Sequence, residues 1–128
     1  MKKGFRALVA EAEAMIEAIS PEQAMALLGS DGVVFVDVRE RGELRRDGSV
    51  PGAVHVPRGM LEFWIDPESP YFRPELAGPA RYVFFCAAGW RSALASRTAL
   101  EMGVGEVCHI AGGFAAWTRA GGPVELGS

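Results

Sequence analysis

The sequence predicts an α/β fold in which helices flank a mainly parallel β-sheet. Three observations carry that expectation. Val33 to Val38 ("VVFVDV") is a largely β-branched run with apolar residues on both faces, as in a strand covered by helices on both sides. A second such run, "RYVFFC", leads through a small loop into the helical stretch "RSALASRTALEMG". Strand-like and helix-like segments alternate to the C-terminus, the order expected of βαβ units.

The elements follow in chain order. At 100° per residue, Phe5, Leu8, Val9, Ala12, Ile16 and Ile19 share one stripe, with the acidic residues on the other side. Residues 1–19 therefore read as an amphipathic helix lying on the domain or on a second subunit. Lys2, Lys3 and Arg6 imitate a secretion signal, but Glu11, Glu13 and Glu17 interrupt the apolar segment that would have to follow. Ser20, Pro21 and Gln23 form a helix start with a capping-box pattern, and Gly29 is placed to end that helix. After the Val33–Val38 strand, the charged segment Glu40–Asp47 reads as a turn or a short exposed helix. "VPGAVHVP" supplies a turn and a short strand, Ala53 to Val56.

From Gly59 to Ala80 the chain reads as irregular, with Pro67, Pro70, Pro74 and Pro79. Phe63, Trp64, Tyr71 and Phe72 in the same stretch argue that it is packed down, with Trp64, Tyr71 and Phe72 in the core, over the site entrance or in a homodimer contact. "RYVFFC", the helix after it, the strand "EVCHIAGG" and a last helix "FAAWTRAG" complete the order.

A chain of 128 residues has room for one core, here assigned to a domain at 20–128 preceded by the helix at 1–19. A net charge of −3 gives no basic footprint for nucleic acid, and no apolar run is long enough to span a membrane. Two cysteines, Cys86 and Cys108, do not make a disulfide framework, and they form no metal-ligand spacing with the two histidines. The expectation is a cytoplasmic, reducing setting, with no metal and no cofactor.

Cys86 stands where the sheet ends and a helix begins, the place at which open α/β sheets bind ligands. Residue types alone leave two readings, a buried core cysteine and a reactive one, and they favour the second. Ala87, Ala88 and Gly89 are small, so their backbone N–H groups can converge into a nest, and the helix N-terminus adds positive potential. Arg91 adds a full charge. Together these favour the thiolate and present its sulfur at the point where burial stops. Cys108, in mid-strand, fits the core reading better.

The loop "CAAGWRS" resembles the active-site loop C-x-x-G-x-R-S of single-domain rhodaneses, the thiosulfate sulfurtransferases. "FVDVRE", "GSVPGAVHVP" and "IAGGFAAW" resemble that family's first core strand, its following turn and strand, and its closing strand, double-glycine turn and last helix. The likeness runs from about residue 20 to 122. It implies a rhodanese-like fold with about five strands, to which the N-terminal helix is an addition. It also implies transfer of a sulfane sulfur from a small anionic donor, thiosulfate or a low-molecular-weight persulfide, through a persulfide on Cys86 to cyanide, a thiol or a protein. Backbone N–H groups from Ala87 to Ser92 would cradle the outer sulfur, and Arg91 would attract the donor and hold the loop. A sulfur carrier that serves one partner protein is the alternative. Related cell-cycle phosphatases place one more residue between cysteine and arginine than the Ala87–Trp90 segment does, so the loop here suits a sulfur atom rather than a phosphoryl group.

By the same resemblance Asp37 supports neighbouring loops. Arg39 has two open readings, lining the pocket mouth or pairing with Glu40 or Glu43. Trp90 is expected to wall one side of the entrance, and His55, between Val54 and Val56, to be a hydrogen-bonded structural residue.

Overall fold

The computed structural model describes residues 1–126. Five strands form one sheet in the order β1-β5-β4-β2-β3, with every neighbouring pair parallel. They are β1 (Glu17–Ile19), β2 (Val33–Asp37), β3 (Val54–His55), β4 (Arg81–Phe85) and β5 (Glu106–Ile110). The helices are α1 (Phe5–Met15), α2 (Pro21–Leu27), α3 (Arg41–Asp47), α4 (Leu61–Ile65), α5 (Trp90–Met102) and α6 (Gly113–Arg119). Short 3₁₀ turns at Arg58–Met60 and Pro74–Leu76 give the 59–80 segment more order than its prolines suggest. None of the described helices is long and apolar enough to cross a membrane.

Strand alternation divides the core in two. Val36, Tyr82 and Phe84 face α4 and α5 with Leu61, Ile65, Ala95 and Ala99. Phe35, Val83, Phe85, Cys108 and Ile110 face α2 and α6 with Ala24, Phe114 and Trp117. Each large apolar side chain so buried contributes about 2–3 kcal/mol, which makes these two layers the main source of stability.

The N-terminal helix is shorter than its apolar stripe. It ends at Met15, Ile16 is extended (φ −114°, ψ 161°), and residues 17–19 join the sheet edge beside β5. Ile19 is buried by the sheet and not by a helix face. Its helical spacing from Ile16 is therefore incidental to a three-residue edge strand. The helix packs on α5 of its own domain through Val9 and Ala12 against Ala93.

β4 lies between β2 and β5. The chain leaves β2 towards β3 on one side and leaves β4 towards β5 on the other. The carboxyl ends of β2 and β4 thus flank a topological switch point, which receives the residues just after Phe85 and the end of β2 at Asp37.

Candidate active site

Cys86 follows the last residue of β4, and the period of two puts it on the same face as Tyr82 and Phe84, under α5. Gly89 then turns the chain at φ +120°, a conformation that strains any side-chain-bearing residue. Two backbone donors close on the sulfur. Gly89 N–H donates to Cys86 Sγ at 3.1 Å and Ser92 N–H at 3.3 Å. Within the Ala87–Ser92 run, these are the two amides that reach Sγ itself. The second belongs to the first turn of α5, so the helix dipole adds to it. Ser92 Oγ lies 3.5 Å from the sulfur.

The sulfur is held rather than displayed. Cys86 is only 1% exposed and belongs to the core cluster, which departs from the expectation of a presented sulfur. The loop that supplies the donors folds back over the sulfur and covers it. Cys108 is buried too, and burial pushes its thiol above the ordinary value against the opposing pull of Arg81.

The double-glycine turn is the seat of this loop. Phe114 N–H donates to Cys86 O at 2.7 Å and Ala115 N–H to Ala87 O at 3.1 Å. A Cβ on Gly113 would stand 2.6 Å from Cys86 O and 2.7 Å from Ala87 O, at a φ of +64°. Only glycine lets α6 approach the loop backbone this closely.

Arg91 forms a two-pronged pair with Glu43 of α3, at 2.7 and 3.0 Å. Hydrogen bonding from Arg91 is the main reason the Glu43 carboxyl is held down to about 2, with burial opposing it. Glu43 also accepts from Glu40 N–H, as the reciprocal half of the α3 capping box. The guanidinium is therefore anchored to α3 by Glu43.

Arg39 lines no pocket mouth and pairs with neither Glu40 nor Glu43. It is 1% exposed and grips Asp37 through Nε and a terminal nitrogen, the latter at 2.7 Å. It also donates to Gly48 O and lies 4.4 Å from the Phe114 ring centroid. The surrounding charges suggest a solvated turn, but a guanidinium can be buried when a carboxylate and a carbonyl take up its donors. Asp37 further accepts from Ser49 Oγ at 2.7 Å, so the pair ties β2 to the loop before β3 and to α6.

Trp90, 54% exposed, opens α5 with its ring 4.8 Å from that of Phe5 and Arg6 5.5 Å from it. Trp64 packs under Arg73, and His55 Nε2 lies 2.6 Å from Arg39 O, a structural contact. Sequence reasoning missed Glu43 and His109. The capping-box spacing Glu40–Glu43 marks the first, and alternation in "EVCHIA" puts the second on the opposite face from Cys108. A cleft lined by Ile65, Leu76, Pro79 and Val104 opens at the other end of the strands, away from Cys86. No group of described His, Cys, Asp and Glu side chains is arranged to hold a metal ion.

Residues 20–120 match the family model of the rhodanese-like domain. The chain belongs to the rhodanese-like domain family. It is 30% identical over 110 residues to thiosulfate sulfurtransferase GlpE of Glaesserella parasuis, covering 85% of this chain and 93% of that one. It is 29% identical to the mouse thiosulfate sulfurtransferase/rhodanese-like domain-containing protein 3, covering 77% of this chain but 66% of that protein. A solved structure from Rhodopseudomonas palustris, of unknown function and described as a possible tyrosine phosphatase, superposes with a TM-score of 0.95 at 49% identity. That match covers 98% of this chain and 96% of the other. Sulfur transfer is thus an activity named for several curated relatives of this rhodanese-like domain, while others are named tRNA uridine(34) hydroxylases.

Proposed function

We propose that the protein is a thiosulfate sulfurtransferase that works through a persulfide on Cys86. The observation that carries this reading is the pair of backbone donors on Cys86 Sγ, Gly89 N–H at 3.1 Å and Ser92 N–H at 3.3 Å. Donors aimed at a sulfur stabilise it as an anion and make it a nucleophile. The Cys86 thiolate attacks the outer sulfur of thiosulfate, forming an S–S bond as the S–S bond of the donor breaks and sulfite leaves with its electron pair. Cyanide or a thiolate acceptor then attacks the terminal sulfur, which restores the thiolate. Two displacements replace one difficult transfer.

A phosphatase reading has less support. Arg91 already spends one N–H of each terminal nitrogen on Glu43, the fork that a phosphate would otherwise take. Only four residues separate Cys86 from Arg91. The donors already converge on the sulfur itself, which suits a single added sulfur atom. Thiosulfate and cyanide are the direct assay: thiocyanate forms with the wild-type protein and not with Cys86→Ser, and para-nitrophenyl phosphate is left intact. Thiocyanate production unchanged in Cys86→Ser would end this reading. A persulfide that forms but is discharged by neither cyanide nor small thiols would move it to the carrier alternative.

A further inference from the structure

The transfer scheme leaves a buried imidazole beside the sulfur without a role. His109 is 2% exposed. Alternation along β5 turns Cys108 and Ile110 towards α2 and α6, and therefore turns His109 towards α5. Its partner in register on β4 is Phe84, two residues before Cys86. Between imidazole and sulfur stands Ser92. Its Oγ lies 2.9 Å from His109 Nδ1, 3.5 Å from Cys86 Sγ and 3.3 Å from Gly89 O.

The bonding pattern assigns the tautomer of this histidine. Nε2 is buried and has no hydrogen-bond partner among the described residues. An orphaned N–H is the more costly group to bury, so Nε2 carries the lone pair and Nδ1 the proton. Nδ1–H then donates to Ser92 Oγ, which leaves the hydroxyl hydrogen two acceptors, Gly89 O and the Cys86 sulfur. While Cys86 is a thiol, its S–H donates to Ser92 Oγ and the hydroxyl hydrogen rests on Gly89 O. Once the sulfur is an anion, a charge-assisted bond outweighs that carbonyl bond, and the hydrogen turns to the sulfur.

We propose that His109 is a positioning residue for sulfur transfer: through Ser92 it makes the hydroxyl a third donor to the Cys86 anion, beside the N–H groups of Gly89 and Ser92. The proposal rests on Cys86 being the reacting sulfur. His109 does this as a neutral ring. Burial pushes the imidazole below its ordinary value against the weaker opposing pull of Glu13 on α1. Its register partners Ala18 on β1 and Phe84 on β4, like Ser92 on α5, carry no charge, and Cys86 lies beyond Ser92.

The test reads the sulfur directly and needs no sulfur donor, so it stands or falls separately from the sulfurtransferase assay. Iodoacetamide alkylation of Cys86 is followed against pH, with the Cys86 and Cys108 peptides resolved by mass. Ser92→Ala and His109→Leu each slow alkylation below neutral pH by about fivefold, the worth of one modest hydrogen bond. Both rejoin the wild-type rate in alkali, where every thiol is ionised. The double variant is no slower than Ser92→Ala, and His109→Asn, which can keep an N–H near the Nδ1 position, recovers most of the rate. Wild-type behaviour of His109→Leu, or losses that multiply in the double variant, overturns the proposal. A second measurement needs no substitution. The long-range ¹H–¹⁵N spectrum of the wild-type protein shows His109 neutral and protonated at Nδ1, and a ring protonated at Nε2 overturns the assignment whether or not His109→Leu folds.

Discussion

Arg91 and Glu43, 48 residues apart in sequence, are joined by two parallel hydrogen bonds of 2.7 and 3.0 Å, so the cysteine loop is tied to α3. Glu43 ionises near 2 in the folded chain, far below an ordinary glutamate, chiefly because of Arg91. A carboxyl depressed by folding contributes stability that is complete above its unfolded value and is lost as pH falls towards the folded one. The pair therefore contributes from about pH 4.5 upward and fades on the way down to about 2. Its worth is on the order of 1–2 kcal/mol, after allowance for solvent screening at the exposed Arg91 end. Urea unfolding measured across that window shows a steeper acid loss for the wild type than for Glu43→Gln. Parallel curves would remove the pair from the stability account.

Gly113→Ala tests the seat of the loop. The new methyl meets Cys86 O at 2.6 Å, and the left-handed backbone at this position adds about 1–2 kcal/mol of strain for alanine. The neighbouring atoms are backbone and cannot move aside cheaply. The expected outcome is a lower melting temperature together with a loss of thiocyanate formation at least tenfold greater than in Gly121→Ala. Gly121 also has a positive φ but open space around it. Equal effects from the two substitutions would show that strain alone, and not the contact with the loop, matters.

Much of the fold is legible because its signals are local. The apolar runs that become β2 and β4, the Ser20–Gln23 capping box and the long helix after the cysteine loop are each written within one short stretch of sequence. β1 is not legible: three residues at a sheet edge carry too little pattern, and Ile19 happens to continue the helical stripe. In the site, Cys86 and Gly89 stand out because strand, loop and helix are contiguous. Glu43 and His109 do not, since each reaches the loop across the fold, 48 and 17 residues away in sequence. The burial of Arg39 is hidden for another reason. Charged neighbours surround it in sequence, while the partners that accept its bonds, Asp37 and Gly48 O, come together only when β2 and the turn after α3 pack on α6.

That burial makes Arg39 a sensitive charged position. Arg39→Ala leaves Asp37 buried with Ser49 Oγ as its remaining side-chain donor, and removing one member of a buried pair costs about 3–5 kcal/mol. Chemical denaturation should register that loss. A change below 1 kcal/mol would mean that water reaches the Asp37 carboxylate.

Under the proposed function, Trp90 bears on the choice of acceptor more than on stability. Its ring is half exposed beside the loop and packs against Phe5. Trp90→Ala should leave the melting temperature within a few degrees and the cyanide reaction nearly unchanged, while raising KM for a bulky thiol such as glutathione severalfold. Equal effects on cyanide and glutathione would assign the ring to loop geometry.

The central claim is that Cys86 carries the sulfur in transit, and intact mass spectrometry after brief exposure to thiosulfate tests it most directly. The predicted result is a protein heavier by one sulfur atom, returned to its starting mass by cyanide with release of thiocyanate. Cys108→Ser keeps the adduct and Cys86→Ser lacks it. An adduct that persists in Cys86→Ser, or none in the wild-type protein, would contradict the claim.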